Sequence, residues 1–532
     1  MPKPTSSNLY NLLDDALVGV EDGTGRRESV SLPGLLARLS QGVPTTLAAL
    51  QAHQQHAVHA FLVQLAAIAL SRAGEREIEH DESAWKRFLL NAAERDGAGA
   101  EAFTLVVEDL SKPAFLQPPV PEGKLVALKN EHELPTGDLD VLITAKNHDV
   151  KIDRIDRPTV EHWIFALITL QTMQGFLGAG NYGIARMKDV FSSRPCVTYA
   201  SGLSEAERFR RDVRILLEQR DALIEDYGFA QRGELGLIWC KPWDGTTSLA
   251  FDELDPFFIE ICRRIRLTVG KDGKLVAYRG TSKVARIDAK ASNGVTGDPW
   301  TPIEISRKDE AKALTATEAG FHYTLVHDLL FDEKFRAGIA GKTYDATRDR
   351  YWLGQVLVRG RGKTGGYHER WVPIPPKARR QLARSAERER LGKRSREWVD
   401  FAGTARPRVL KPALLTLLQG GPEQLKFDDN RVDHHLQRFD DAIDGEFFHL
   451  LFEQADNDST EANAAFQKRL VELARAELDE AAQSLPIPAA RRWRARALAE
   501  RAFDGACRNH LKFAFPPKPT PNNEVSTIGD AP

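Results

Sequence analysis

Apolar positions along this chain of 532 residues follow two different patterns, and the change falls near Pro376. Beyond it the helical period rules. Val432, Leu436, Phe439, Ile443, Phe447 and Leu450 recur three or four apart and mark one face of a helix. Asp458 and Glu461 open the next helix as a capping box, and Phe466, Leu470, Leu473 and Leu478 continue the stripe. Pro486 and Pro488 interrupt the chain, and a last helix runs to about Phe513. The pattern predicts a C-terminal helical, four-helix bundle over 376–515. A tail rich in Pro, Asn and Ser, 516–532, is predicted to be disordered.

The first part of the chain reads differently. A strand-like run follows residue 9, Asp22-Gly23-Thr24-Gly25 forms a turn, and Ser31 caps a helix that starts at Leu32-Pro33. Residues 48–72 form a long helix rich in alanine and leucine. From about 100 to 375, short β-branched runs such as Val141-Leu142-Ile143-Thr144 alternate with helices such as 162–173, and Gly and Pro punctuate often. The expected fold class is α+β: a large mixed domain over 1–375, then the bundle.

Composition narrows the chemistry. Hydrophobic residues make up 42% and charged residues 28%, ordinary for a globular protein. The net charge of −2 gives no global field toward nucleic acid or membrane, so any basic surface is local. Cys196, Cys240, Cys262 and Cys507 show no C-x-x-C spacing, which argues against a cysteine-based zinc site and for a reducing compartment. The first residues lack a signal-peptide pattern and no stretch approaches 18 uninterrupted apolar residues, so a cytoplasmic protein with no membrane partner is expected.

Three stretches could carry chemistry. The first is Gly175-Phe176-Leu177-Gly178-Ala179-Gly180-Asn181-Tyr182-Gly183. Glycine permits positive φ and close backbone approach, and exposed N–H groups can face phosphate. Gly178, Gly180 and Gly183 meet the G-x-G-x-x-G spacing, but the run follows a helix and no βαβ unit surrounds it, which speaks against a dinucleotide site. The plain alternative is a flexible loop. The second is Arg359-Gly360-Arg361-Gly362-Lys363-Thr364-Gly365-Gly366. A P-loop would need glycine where Leu357 stands and a helix afterwards; strand-like runs at 355–358 and 367–374 make this a basic hairpin tip, suited to a DNA groove or simply solvated. The third is 377–396, with nine Lys or Arg against two Glu. Arg380, Arg384 and Arg388 fall at i, i+4 spacing on one helix face and, with Lys393 and Arg394, could neutralise phosphates; a solvated face is the plain alternative. Arg491, Arg492, Arg494 and Arg496 form a smaller cluster around Trp493.

Catalytic readings have less support. His80-Asp81, His148-Asp149 and His327-Asp328 are candidate metal-binding pairs, but His322 lies five residues before His327, too far for one helix face. His53, His56 and His59 drift around their helix with no acidic partner following, and read as structural. No H-E-x-x-H, G-x-S-x-G or EF-hand pattern occurs. No metal, cofactor or catalytic residue is expected.

The order of these features resembles the CasA large subunit of type I-E CRISPR Cascade complexes over nearly the whole chain. Asn11-Leu12-Leu13-Asp14-Asp15 with Ser31-Leu32-Pro33 is similar to the family's opening; Lys112-Pro113-Ala114-Phe115-Leu116-Gln117 and Asp298-Pro299-Trp300-Thr301-Pro302 resemble two further landmarks. Thr144-Ala145-Lys146-Asn147-His148-Asp149 falls where the family has a loop beside the protospacer-adjacent motif, and the hairpin falls where it has a wedge that splits the duplex. The resemblance implies a non-catalytic subunit that reads the motif from the minor groove, wedges double-stranded target DNA open for guide pairing, and helps hold the displaced strand. It implies DNA contacts at Lys146, Asn147, His148, Gly178, Ala179, Gly180 and Asn181, with Ala179 a departure from the family's loop. It offers Lys283 or Lys290 as the minor-groove lysine. The wedge would be Arg361, Gly362, Lys363 and Thr364, where the family carries an amide. Implied partners are the crRNA-bearing backbone, small and 5′-end-binding subunits, and a helicase-nuclease or a nuclease fused to another subunit. The competing readings are a stand-alone metal-dependent nucleic-acid hydrolase and a scaffold that reads no sequence.

Overall fold

A computed structural model describes residues 8–128, 133–139, 158–188, 193–231, 234–305, 310–360 and 363–515, with the side chains of 359, 360, 363 and 364 excepted. The chain divides into two compact units, Met1–Ala383 and Arg384–Pro532. The sequence reading put the division at Pro376, where a short helix, Pro376–Leu382, begins. That helix buries Ala378 and Leu382, and the Tyr344 hydroxyl donates to the Arg379 carbonyl at 3.3 Å.

The first unit is built around the helix Gln55–Ala73, which has no polar face: from His56 to Leu70 every residue is buried. By length and composition the segment Ala52–Ala73 could cross a membrane, but its surface is taken up inside the unit. Helices Glu82–Arg95, Val160–Met173 and Glu205–Tyr227 and strand Leu254–Ile259 cover it. Gly74, with φ +76°, ends it in the left-handed cap that glycine allows without a Cβ clash. The counter-charge to Arg72 comes from the end of a neighbouring helix. Arg72 pairs with Asp96 at 3.0 Å with both side chains 1% exposed, and Asp96 also accepts from Leu237 N at 2.7 Å. Ser31 caps Leu32–Ser40 by accepting from Gly34 N, as its sequence predicts.

Strands of this unit form small sheets around that helical centre. Arg27–Val30, Val18–Asp22 and Thr45–Leu47 make one antiparallel sheet; Lys363–Pro373, Tyr351–Gly360 and Cys196–Ala200 make another. Arg264–Val269 pairs with Leu275–Gly280, and Leu235–Leu237 lies parallel to Leu254–Ile259. The mixture of helices and mainly antiparallel strands is the α+β class expected.

Among the described residues the second unit has four long helical stretches, besides two short helical turns. Ser385–Ala405 runs through a wider turn, Arg406–Leu410, into Lys411–Gln419; then come Asp433–Glu453, Ser459–Ser484 and Ala489–His510. Trp398 stacks on Phe466 at 4.1 Å with the rings 2° from parallel, and Phe447 meets both edge-on. The indole N–H of Trp398 donates to Asn463 Oδ1 at 2.9 Å, so its burial leaves no polar atom stranded. Asp458 caps Ser459–Ser484 by accepting from Glu461 N. The tail 516–532 lies outside the described residues.

Candidate nucleic-acid interface

The glycine loop begins where the helix Val160–Met173 ends, at Gln174 in an extended conformation. Two crossed hydrogen bonds close it: Leu177 N to Asn181 O at 2.9 Å, and Asn181 N to Gly178 O at 3.0 Å. Gly178 sits at φ +108° and Gly180 at φ +82°, a region that disfavours side chains. Gly180 is fixed twice over, because a Cβ there would lie 2.8 Å from Cβ of Thr281. Ala179 and Leu177 at the crest are exposed. The carbonyl Oδ1 of half-buried Asn181 is buried without a hydrogen-bond partner.

The base of the loop is clamped from below. Arg263, 1% exposed, donates to the Gly175 carbonyl at 2.7 Å and to the Tyr182 carbonyl, one at each foot of the loop. Burial pushes its pKa down; its terminal nitrogens meet backbone carbonyls rather than a carboxylate, and its Nε is buried without a hydrogen-bond partner. Gln171, fully buried, holds the Arg263 backbone: its oxygen accepts from Arg263 N at 2.8 Å and its amide donates to Arg263 O at 3.0 Å. Just beyond the loop, Ala185 N donates to Glu260 at 2.5 Å. Burial pushes the Glu260 carboxyl up to about 7, partly offset by the nearby Arg186 charge.

Two further loops are stitched to the first. Ser282 N donates to Gly180 O at 3.0 Å, and Lys283 N donates to Gly245 O at 2.6 Å. Gly245, at φ +86°, would place a Cβ 3.0 Å from Cα of Ser282. Residues 177–181, 243–246 and 281–283 therefore form one platform with exposed Lys283 on it. The second loop, with its Asp244–Thr246 turn, had no signal that sequence reading could use; only the pairing with 283 reveals it. Lys290 is exposed in the turn Lys290–Ser292, and no hydrogen bond among the described residues ties it to the platform.

Lys146, Asn147, His148, Arg361 and Gly362 lie outside the described residues. The hairpin that carries 361–362 is present. Gly360 faces Lys363 across a two-residue connection, and the register shifts between Val358 and Arg359. Of Lys363 and Thr364 only the backbone is described. Val356, Leu357 and Val358, in the strand that leads to the tip, are buried. Its root is fixed by a chain of hydrogen bonds, Gln355 to Glu369 at 2.7 Å and Tyr367 to Glu369 at 2.8 Å, and by Tyr367 stacked on His56 at 5.6 Å.

The basic stretch 377–396 departs from its expected form. The helix breaks at Arg384 (φ −108°, ψ 119°), so Arg380 belongs to Pro376–Leu382 and Arg388 to Ser385–Ala405, and the three arginines share no continuous helix face. Arg394 is buried and donates to the Gln454 and Asn457 carbonyls, which makes it a staple of the bundle and turns it away from any polyanion. Arg384 pairs with Glu387 at 3.0 Å. Arg380 and Lys393 are exposed.

The histidines also differ from the sequence reading. His59 has acidic partners, supplied from the helix Glu205–Tyr227: Nδ1 lies 2.5 Å from Glu205 and Nε2 3.1 Å from Asp212. Burial opposes the charged form, but both carboxylates outweigh it and raise the His59 pKa. Arg208 and His59 hold Glu205 down at about 2 against the same burial. Asp212 also accepts from the buried Trp300 indole at 2.8 Å, and Asp298 pairs with Arg194 at 2.6 Å. The 298–302 landmark is thus a knot of the core. His327, Asp328 and Asp332 bring one ligand atom each within 4.8 Å of one another, one imidazole with two carboxylates, a mixed set suited to a borderline divalent metal such as zinc or iron; none of the three lacks another partner.

No family model matches the chain, and no curated protein sequence matches it. Solved structures do. CasA (Cse1) of Thermus thermophilus superposes with a TM-score of 0.61 at 16% identity, covering 94% of this chain and 100% of the other. Cse1 of Thermobifida fusca gives 0.62 at 15%, covering 95% and 99%. A chain of a CRISPR RNA-guided surveillance complex gives 0.56 at 14%, covering 93% and 99%. The chain has the fold of these CasA structures.

Proposed function

We propose that this chain is the large subunit of a type I-E Cascade complex: it recognises the protospacer-adjacent motif, wedges the duplex open for guide-RNA pairing and helps hold the displaced strand, without itself cutting DNA. The observation that carries this reading is the platform. A glycine-rich backbone crest, held at left-handed φ by contacts that exclude a side chain and clamped at both feet by Arg263, sits beside the exposed Lys283. Backbone that can approach a groove closely, next to a cation, suits the minor groove, whose floor offers acceptors and whose walls are phosphates. Lys283 is the better of the two candidate lysines, because its own N–H belongs to the platform. The near-complete overlap with CasA folds supports the same assignment at the level of architecture.

In this reading Asn147 supplies an amide to the motif and the 361–364 tip enters between the strands. The crRNA-bearing subunits are the assembly partners, and cleavage belongs to a recruited or fused nuclease. The test is target binding by the reconstituted complex. Asn147→Ala, Lys283→Ala and tip variants at Lys363 and Thr364 should each lower binding to motif-bearing duplex. Unchanged motif preference in all of them would remove the recognition role.

The hydrolase reading keeps one foothold, the His327, Asp328 and Asp332 cluster. Metal analysis of the purified chain decides it: stoichiometric divalent metal together with cleavage by the isolated chain would replace the proposal above.

A further inference from the structure

The helix Ala489–His510 begins with six exposed residues, and its first buried position is Ala495. Its opening turn and a half stands clear of the bundle. Trp493, in that turn, is 82% exposed, the largest exposure of any big apolar side chain among the described residues. Arg491, Arg492 and Arg494 surround it, all exposed and none in an ion pair with a described residue. The contrast within the helix is sharp. Arg496 is held by Glu500 at 2.8 Å and Asp479 at 3.0 Å. Arg501 and Arg508, further along the helix, are also exposed without an ion pair among the described residues, but they stand singly; around the indole three such arginines gather within four residues.

We propose that Trp493 with Arg491, Arg492 and Arg494 is a stacking site for single-stranded nucleic acid. An unpaired base offers a flat face to the indole, and its flanking phosphates offer oxygens to the guanidinium groups. A duplex would satisfy the arginines but keeps its base faces stacked inside. An acidic peptide would leave the indole unused. A membrane surface needs several apolar side chains on one helix face, and here the neighbours are alanine and arginine. The inference rests on the reading of the chain as a subunit that opens a duplex, since such an event releases an unpaired strand. It moves the strand-holding role from 377–396, whose continuous basic face does not form, to 489–494.

The test is equilibrium binding of the full chain to a labelled single strand and to a duplex of the same sequence, by fluorescence anisotropy. Trp493→Ala should weaken single-strand binding roughly 5- to 100-fold and leave duplex binding unchanged. Trp493→Phe should retain most of the affinity. Replacing Arg491, Arg492 and Arg494 together by Gln should flatten the slope of log K against log salt by about 2. Circular dichroism of each variant should match the parent, as expected for exposed positions. Wild-type single-strand affinity in Trp493→Ala overturns the inference, as does an equal loss on duplex, which would make the turn a generic polyanion patch. Gly180→Val in the assembled complex, assayed on motif-bearing duplex, separates the two claims. Loss there beside an unaffected Trp493→Ala removes only this inference; no loss in either removes both.

Discussion

Single residues show why the platform has its shape and how it should respond to pH. Glu260, buried beneath the loop exit, has its carboxyl raised to about 7. A carboxyl raised by burial binds its proton more tightly in the fold than in the unfolded chain, so it favours the fold less as pH climbs from the ordinary carboxylate value of 4.5 to about 7. Glu260→Gln should therefore melt like the parent near the acid end of that window and at a higher temperature above it; equal melting at alkaline pH would show that Arg186 already neutralises the site. His59 acts in the same direction. Its raised pKa stabilises the fold fully below the ordinary histidine value of 6.5, and that contribution is lost as pH rises through the folded value. Removing it takes one partner from each carboxylate while Arg208 keeps Glu205 and Arg211 keeps Asp212, so His59→Gln should cost about 1–3 kcal/mol in denaturant unfolding. His56, lowered to about 3 by burial, sets the acid side: stability falls as pH drops from 6.5 toward that value. None of these roles was legible in the sequence, because Glu205, Asp212 and Glu260 lie far from their partners along the chain.

Elements were far more legible than partners. Of the stripe from Val432 to Leu450, Leu436 to Phe447 is buried in the helix Asp433–Glu453, Val432 is buried as its N-cap and Leu450 is only half-buried; Ser31 and Asp458 cap where their spacing says they should. Local rules suffice there, since capping and periodicity depend on residues a few positions apart. The hairpin Tyr351–Gly360 with Lys363–Pro373 was readable for the same reason. The basic stretch failed because its i, i+4 spacing was read as one helix, whereas the chain turns extended at Arg384 and Arg394 is drawn inward to helix-end carbonyls. In the second unit the Trp398–Phe466 stack predicts a concentrated dependence: Trp398→Ala should destabilise the bundle by about 3–5 kcal/mol, read as a lower unfolding midpoint of that unit. A shift worth less than about 1 kcal/mol would mean that Phe447 and its neighbours repack into the space.

Over the whole molecule, the α+β unit followed by a helical bundle was visible in composition and period, and the sequence landmarks that suggested CasA are mostly pieces of its core. Gln117 is fully buried and links Leu105 and Leu267, and Trp300 is tied to Asp212. Each of these residues satisfies a buried polar group that would otherwise lack a partner. The platform was only half legible: the glycine run was visible, but its clamp and its two companion loops come from residues about 60–100 positions away, joined by hydrogen bonds to and between backbone groups that leave no pattern in the sequence. The most direct measurement of its role is the affinity of the reconstituted complex for two duplexes that differ only in the adjacent motif, with Lys283→Ala and Gly180→Val beside the parent and a melting curve for each. The platform account predicts that both variants fold, that affinity for the motif-bearing duplex falls at least about tenfold, and that the preference between the duplexes collapses. Parent-like preference in both variants, with the complex intact, would contradict it.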